Sequence, residues 1–303
     1  MFQNVSDPAR PLMLVILLTL TGSAMAQSVD SARVFMVGHS LVNFDMPTLL
    51  AGLAEDAGKD HERGEQITIG SPLVYNWYNS HAAQGLDGQV ELPTGNWDVL
   101  VLTEAVPLIN HLTYSDTYTY AGNFHQLALD GNAVTRTFIY ETWHCINSGT
   151  PAGCDWDDFD HIPWRQRLDD DLPLWEGIVD HLNANHQGPK VNLVPAGQAL
   201  ALLHDRILDD QVPGTSHVFE LFTDDIHLND AGNYFVALVM FATIYGESPV
   251  GLTHQINDTW GTPYDLPDQP TALALQTTAW DAVSAWFGPN PIIFADGFEL
   301  PDS

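Results

Sequence analysis

Short apolar segments alternate with helical patterns along most of this 303-residue chain. The apolar segments have the length of buried strands, and the segments between them repeat apolar residues at helical spacing. We predict strands at 33–37, 66–69, 97–103, 136–141 and 191–194, and helices at 47–57, 117–129, 172–185, 197–208, 230–245 and 272–287. This alternation predicts an α/β fold, namely one three-layer α/β/α domain with a five-stranded parallel sheet at residues 27–288.

The first 26 residues have the pattern of a signal peptide. Arg10 precedes an apolar run at 12–20, and Ser23-Ala-Met-Ala26 supplies the small residues that a signal peptidase reads. The run is shorter than the ~20 residues that a membrane-spanning helix needs. We therefore expect a secreted or periplasmic protein that has no membrane attachment after cleavage.

The chain is strongly acidic. It carries 39 acidic and 9 basic side chains, for a formal net charge of −30. A surface of this sign repels nucleic acid and anionic lipid, so neither is expected as a partner. High solubility is a sufficient explanation for the charge.

The first predicted strand leads into Gly38-His-Ser-Leu41, which places Ser40 at the end of a strand. Ligands of parallel α/β sheets bind at that edge. A serine becomes a nucleophile when a base takes its proton, and Asp224-Asp-Ile-His227 offers a histidine with a carboxylate three residues before it. This predicts Ser40 as nucleophile, His227 as base and then acid, and Asp224 as the group that orients the imidazole. Taken singly, each motif also fits a helix-capping residue.

The two motifs together resemble the SGNH, or GDSL-type, hydrolases. Gly38-His-Ser-Leu41 stands where that family has Gly-Asp-Ser-Leu, and Asp224-x-x-His227-Leu-Asn-x-x-Gly232 matches its last block. The resemblance covers most of the chain after the leader, and it implies a flavodoxin-like sheet, serine esterase activity and no cofactor. Two features depart from the family: His39 replaces the usual Asp, and the Gly-x-Asn-Asp block is not found. We interpret His39 as a packing or hydrogen-bonding residue.

The resemblance also implies an oxyanion hole. The backbone amides of Ser40 and of Gly70, after the second strand, match two of the family's donors. The third donor is an asparagine in the family, whereas this chain has Leu102-Thr-Glu104, which resembles an SGNH subgroup with Leu-Gln-Glu. Thr103 or Asn110 would replace the asparagine, or the hole has two donors.

The segment after the fourth strand is rich in cysteine, tryptophan and aspartate. In an exported protein, Cys145 and Cys154 are expected to form a disulfide. Three tryptophans nearby would form a stacking wall for a sugar or an acyl chain: Trp143, Trp156 and Trp164. The aspartates at 155, 157, 158 and 160 lack the glycine and distal glutamate of an EF-hand loop, so we expect a solvated acidic loop and no metal.

Two functional hypotheses follow. The first is an exported serine esterase that acts on carboxylic esters, including acetyl or short acyl groups on carbohydrate. The second is a catalytically silent protein of the same fold that binds glycans through the tryptophan-rich loop. Residues 289–303 are interpreted as a C-terminal tail without assigned chemistry.

Overall fold

A computed structural model describes residues 29–288, so the predicted signal peptide and the C-terminal tail lie outside the described residues. The strands in this part are β1 (Ser31–Gly38), β2 (Asp60–Ile67), β3 (Gln84–Gly85), β4 (Val99–Leu102), β5 (Arg136–Tyr140) and β6 (Asn192–Val194). The α-helices are α1 (Asp45–Asp56), α2 (Leu73–Tyr78), α3 (Gly88–Glu91), α4 (Leu108–Tyr114), α5 (Thr117–Gly131), α6 (Trp164–Asn185), α7 (Ala196–Leu208), α8 (Asp230–Tyr245) and α9 (Gln269–Phe287).

Within residues 29–288, the strands form one six-stranded sheet in the order β3-β2-β1-β4-β5-β6. The five predicted strands are present and pair in parallel, which confirms the α/β fold class. The sixth strand, β3, pairs antiparallel with the end of β2. It was missed because two residues carry no periodic pattern. The parallel strands have the flavodoxin-like order, whose direction reverses between β1 and β4, and ligands bind at such a reversal point.

Both faces of the sheet are covered. Along β1, Val34 and Met36 face one apolar cluster while Phe35 and Val37 face the other, as the two-residue period of a strand requires. The first cluster contains α8, which is buried on all sides from Gly232 to Tyr245, as expected for a helix that is apolar all round. Among the described residues, no helix has the length and apolarity needed to cross a membrane.

Several elements differ from the predicted bounds or were not predicted. The helix predicted at 172–185 begins at Trp164, because Pro173 lies inside the helix and does not mark its first turn. The strand predicted at 66–69 begins at Asp60, because charged residues in its first half interrupt the apolar pattern from which a buried strand is predicted. The short helices α2 and α4 follow β2 and β4 and were not predicted, since six and seven residues give little periodicity.

Candidate active site

The turn between β1 and α1 carries Ser40 and packs against the end of β4. A side chain at Gly38 would place its Cβ 2.6 Å from Val42 and 2.7 Å from Thr103. Glycine is therefore required for this close approach of the two strand ends. The packing fixes Ser40 at the reversal point of the sheet.

His39 holds the same turn from inside the protein. Its side chain is buried, and Nε2 donates to the carbonyl of Glu104 at 3.1 Å. Nδ1 is then unprotonated and accepts from the Leu41 amide at 3.4 Å. Desolvation lowers the pKa of His39 to about 4, so the ring is neutral near pH 7. His39 thus supports the turn by hydrogen bonds and has no free nitrogen for a second base.

Asp224 and His227 form a hydrogen-bonded pair. His227 Nδ1 donates to Asp224 Oδ2 at 2.7 Å. Asp224 Oδ1 accepts from the amides of Ile226 and His227 at 2.9 and 2.6 Å. Desolvation, the largest single influence, raises the pKa of Asp224, but the His227 and Ile226 amides and the imidazole together bring it below its ordinary value. The carboxylate is therefore ionised and holds the imidazole in one orientation.

The start of α8 positions this pair. Asn229 Oδ1 accepts from the Gly232 amide at 3.0 Å, which caps the helix, and Asn229 Nδ2 donates to the Glu220 carbonyl at 2.7 Å. A Cβ at Gly232 would clash with the Leu221 carbonyl oxygen. The Leu228-Asn-x-x-Gly232 sequence thus fixes His227 just before the helix.

The segment after β5 contacts the loop of the acid–base pair directly. Trp143 Nε1 donates to the Ile226 carbonyl at 2.7 Å, and the Ile146 amide donates to the Asp225 carbonyl at 2.8 Å. At the end of β5, the Tyr140 hydroxyl donates to the Leu41 carbonyl, next to Ser40, at 3.2 Å. One segment therefore holds both the Ser40 turn and the His227 loop, a role that sequence patterns could not reveal.

The predicted tryptophan wall is wrong for two of its three members. Trp143 is 1% exposed and Trp164 is 3% exposed, and both belong to the apolar core. The indole of Trp164 donates to the His144 carbonyl at 3.1 Å. Large rings with a satisfied N–H are stabilised by burial, which removes both from contact with a ligand. Trp156 is 42% exposed.

The two backbone amides predicted for the oxyanion hole are free to donate to a ligand. Among residues 29–288, neither the Ser40 amide nor the Gly70 amide donates to an acceptor of the protein. Gly70 has φ of +63° in a turn closed by Ser71 N and the Thr68 carbonyl at 3.2 Å, a conformation that favours glycine.

Of the two residues considered as the third donor, only one has a free side chain. Thr103 is buried, and its hydroxyl donates to the Tyr140 carbonyl at 2.9 Å. It cannot reach a substrate, so that prediction is wrong. Asn110, on α4, is half-buried, and its side-chain amide makes no hydrogen bond within the described part of the chain.

Ser40 itself is partly buried. Within residues 29–288, its hydroxyl makes no hydrogen bond to His227 or to another residue. After burial, which is the main cause, His111 on α4 and His227 also lower the pKa of the neighbouring His39, so the turn, α4 and the loop before α8 lie near one another. Catalytic hydrogen bonds are commonly long in unliganded enzymes and tighten around the substrate.

Glu104 joins two loops of the site from below. Its Oε1 accepts from the amides of Leu73 and Ala105 at 3.0 and 2.8 Å. Desolvation raises its pKa to about 7, against the opposing effect of the Ala105 amide. Glu104 is therefore a buried support that ties the start of α2 to the end of β4, and not a solvated acid.

A second buried acid, Glu141, follows β5. The amide and side chain of Gln198 donate to its two oxygens at 3.2 and 2.9 Å. A Cβ at Gly197 would lie 2.7 Å from Oε1, so glycine makes room for the carboxyl. Desolvation raises the pKa of Glu141 to about 8, which keeps it protonated at pH 7.

The acidic loop is attached to the protein by a disulfide and by its own aspartates. Cys145 and Cys154 are bonded to each other, as predicted. Asp160 Oδ2 accepts from the Cys154 amide at 2.9 Å. Asp157 is buried in an ion pair with the buried Arg167. These two aspartates therefore stabilise the loop, and the expectation of a fully solvated acidic loop is wrong for Asp157.

No protein-family model and no curated protein sequence matches this chain. Among solved structures, a DUF4886 family protein from Bacteroides uniformis is similar over 86% of this chain and 96% of its own, with 16% identity and a TM-score of 0.62. Looser similarities include a family 3 carbohydrate esterase from Clostridium thermocellum (15% identity, 70% and 94% coverage, TM-score 0.42) and a GDSL-like lipase from Parabacteroides merdae (10% identity, 86% and 98% coverage, TM-score 0.43). The first similarity establishes a shared fold. The order of its parallel strands gives the chain a flavodoxin-type α/β fold.

Proposed function

We propose that this protein is an exported serine esterase that cleaves carboxylic esters with Ser40, His227 and Asp224. The observation that carries the proposal is the 2.7 Å hydrogen bond between Asp224 and His227 Nδ1. It leaves Nε2 as the nitrogen that can exchange protons, which is the arrangement that activates a serine. The free amides of Ser40 and Gly70 add the donors that an oxyanion requires.

In the proposed reaction, Ser40 Oγ attacks the acyl carbon and its proton passes to His227 Nε2. The negative charge on the former carbonyl oxygen is stabilised by the amides of Ser40 and Gly70 and by the side chain of Asn110. His227 then gives its proton to the leaving alcohol, and the C–O bond of the ester breaks. Water, deprotonated by His227, hydrolyses the acyl-enzyme and restores Ser40.

The substrate proposed is a short acyl ester, such as acetyl, on a larger molecule. The side chains of Asp224 and His227 are both about half exposed, with relative exposures of 51% and 40%. An open site of this kind admits an acyl group that projects from a carbohydrate. The negative charge of the chain favours a neutral substrate.

Two adjacent aspartates provide the test. Asp224→Asn should lower kcat by about 10⁴ with the fold intact, because the wrong imidazole tautomer is then held. Asp225→Asn is the matched control, since the Asp225 side chain makes no hydrogen bond to His227. Its kcat should stay within about threefold of the wild-type value on 4-nitrophenyl acetate. Equal losses in the two variants would contradict the assigned triad.

A catalytically silent glycan-binding protein is the alternative. Its basis was the tryptophan-rich loop, and Trp143 and Trp164 are buried. A serine-directed organophosphorus reagent distinguishes the two hypotheses. The esterase proposal requires a covalent adduct at Ser40 that Ser40→Ala abolishes, detected by mass spectrometry. Absence of both the adduct and turnover in the wild-type protein would support the alternative.

A further inference from the structure

Two exposed tyrosine rings and a half-buried one form a cluster near the Gly70 loop in the sequence. Tyr75 and Tyr78 are 49% and 67% exposed, and they share a face of α2 because they are three residues apart. The hydroxyl of Tyr120, on α5, donates a hydrogen bond to the Tyr78 hydroxyl at 3.0 Å. The rings of Tyr78 and Tyr120 meet edge to face at 5.7 Å. We call Tyr75, Tyr78 and Tyr120 the tyrosine platform.

The platform rests on a rigid base. Trp77 packs edge to face on Phe124 at 5.0 Å between ring centroids, and its carbonyl accepts from Gln89 Nε2 at 2.8 Å. The first amide of α2, that of Leu73, is held by the buried carboxyl of Glu104 at 3.0 Å. The helix is therefore fixed from below, and its exposed rings lose little freedom when they bind a ligand.

The segment that carries Tyr75 and Tyr78 is uncharged. Residues 68–80 contain no Asp, Glu, Lys or Arg, although the chain carries 48 such residues in all, 39 acidic and 9 basic. Tyrosine presents an apolar ring face together with a hydroxyl at its edge. A pyranose ring of a neutral sugar offers the complementary pattern, with C–H groups on its faces and hydroxyls around its rim.

The platform lies close in the sequence to the candidate oxyanion hole. Tyr75 follows Gly70 by five residues, so their Cα atoms are at most about 18 Å apart. Gly70 in turn lies beside the Ser40 turn, since the Thr68 amide donates to the Gly38 carbonyl at 3.0 Å. An oligosaccharide can therefore extend from the platform toward the Ser40 turn.

We propose that the tyrosine platform is a saccharide subsite, which holds a neutral oligosaccharide or polysaccharide chain by stacking while its acyl ester reaches Ser40. This inference rests on the proposed esterase function and names the substrate class of that site. It assigns substrate binding to tyrosines of α2 and α5, and not to the tryptophans after β5.

The first experiment compares two substrates in the double variant Tyr75→Ala/Tyr78→Ala. We expect the ratio of kcat/KM on acetylated xylan to kcat/KM on 4-nitrophenyl acetate to fall at least about fivefold, through KM on the polysaccharide, because two stacking faces are lost. Trp260→Ala removes a still more exposed aromatic ring (88%) outside the platform and should leave that ratio unchanged. An unchanged ratio in the double variant, or the same fall in Trp260→Ala, overturns the proposal.

The second experiment separates the platform from the chemistry. Binding of unacetylated xylo-oligosaccharide to the Ser40→Ala protein is measured by calorimetry, with and without the two tyrosine substitutions. Binding that disappears with the tyrosines supports the platform even if the wild-type protein hydrolyses no ester, in which case the proposed function fails alone. Binding that persists at equal affinity without the tyrosines, or no binding to the Ser40→Ala protein, overturns the platform whatever the esterase activity.

Discussion

Replacing Trp143 with Phe removes one hydrogen-bond donor from beneath the loop of the acid–base pair. In the wild-type protein, the indole N–H donates to the Ile226 carbonyl at 2.7 Å, between Asp224 and His227 in the sequence. Phenylalanine keeps an aromatic ring in the buried site but has no donor. The Ile226 carbonyl then loses its partner, and the loop can shift away from Ser40.

The structure sets the size of the effect. An unpaired acceptor in this partly buried position costs up to about 3 kcal/mol, and the smaller ring leaves a cavity that adds about 1 kcal/mol or more. We therefore expect the free energy of unfolding to fall by about 2–4 kcal/mol. A small displacement of the imidazole should lower kcat by about 10–100-fold, because a catalytic group must be held near its productive geometry. KM should change little, since Trp143 is buried and touches no substrate.

The matched control is Trp164→Phe. Trp164 is equally buried in the same apolar core, and it also donates its indole N–H to a backbone carbonyl, that of His144. His144 lies outside the Asp224–His227 loop. The control should therefore lose similar stability in urea unfolding but retain kcat within about threefold, measured on 4-nitrophenyl acetate with both variants fully folded at the assay temperature.

Two outcomes would refute this reasoning. In the first, Trp143→Phe loses stability but keeps its full kcat, and the indole hydrogen bond then has no influence on the base. In the second, both tryptophan variants lose kcat to the same degree, and the loss reflects general loosening of the core. A fall in kcat only for Trp143→Phe identifies it as a positioning residue.

Glu141→Gln should change the pH dependence of stability. Burial raises the pKa of Glu141 to about 8, so the folded protein keeps a proton on this carboxyl that the unfolded chain loses near pH 4.5. The free energy of unfolding should therefore fall as the pH rises from about 4.5 through 8, by up to about 1.4 kcal/mol per pH unit. The neutral variant should gain relative to wild type in urea unfolding between pH 5 and pH 8, and parallel curves would contradict this. Replacing Cys145 and Cys154 with Ser should cost about 2–3 kcal/mol of unfolding free energy, the entropy of a closed loop with a sequence separation of 9. An unchanged denaturation midpoint would be inconsistent with that constraint.

The sequence predicted the parts of the structure that depend on local patterns. The apolar run before Gly38 and the helical patterns were sufficient for five parallel strands, because burial on both faces produces a continuous apolar strand. The pairing of Asp224 and His227 was also predictable, because one turn of the chain brings together two residues that are three apart. These features need no knowledge of distant contacts.

Side-chain burial could not be obtained in this way. Trp143 and Trp164 occupy a loop-like stretch of sequence, and only the packing of distant elements decides that they face the core. The Thr103 hydroxyl donates to the carbonyl of Tyr140, which is 37 residues away in the sequence. Glu104 likewise looks like a loop acid in the sequence. The tyrosines of α2 were overlooked because a helix of six residues has no clear period.

The two-residue strand β3 has a consequence for how the protein behaves in concentrated solution. An open strand edge can pair with another molecule and begin aggregation. Here β3 covers Gln66 and Ile67, the end of the β2 edge, while the uncovered part of β2 (residues 60–64) presents Asp60, Glu62 and Arg63. In the described part of the chain, the opposite edge strand β6 offers only three residues. The two edges of the sheet are thus either charged or very short, which disfavours edge-to-edge pairing between neighbouring molecules.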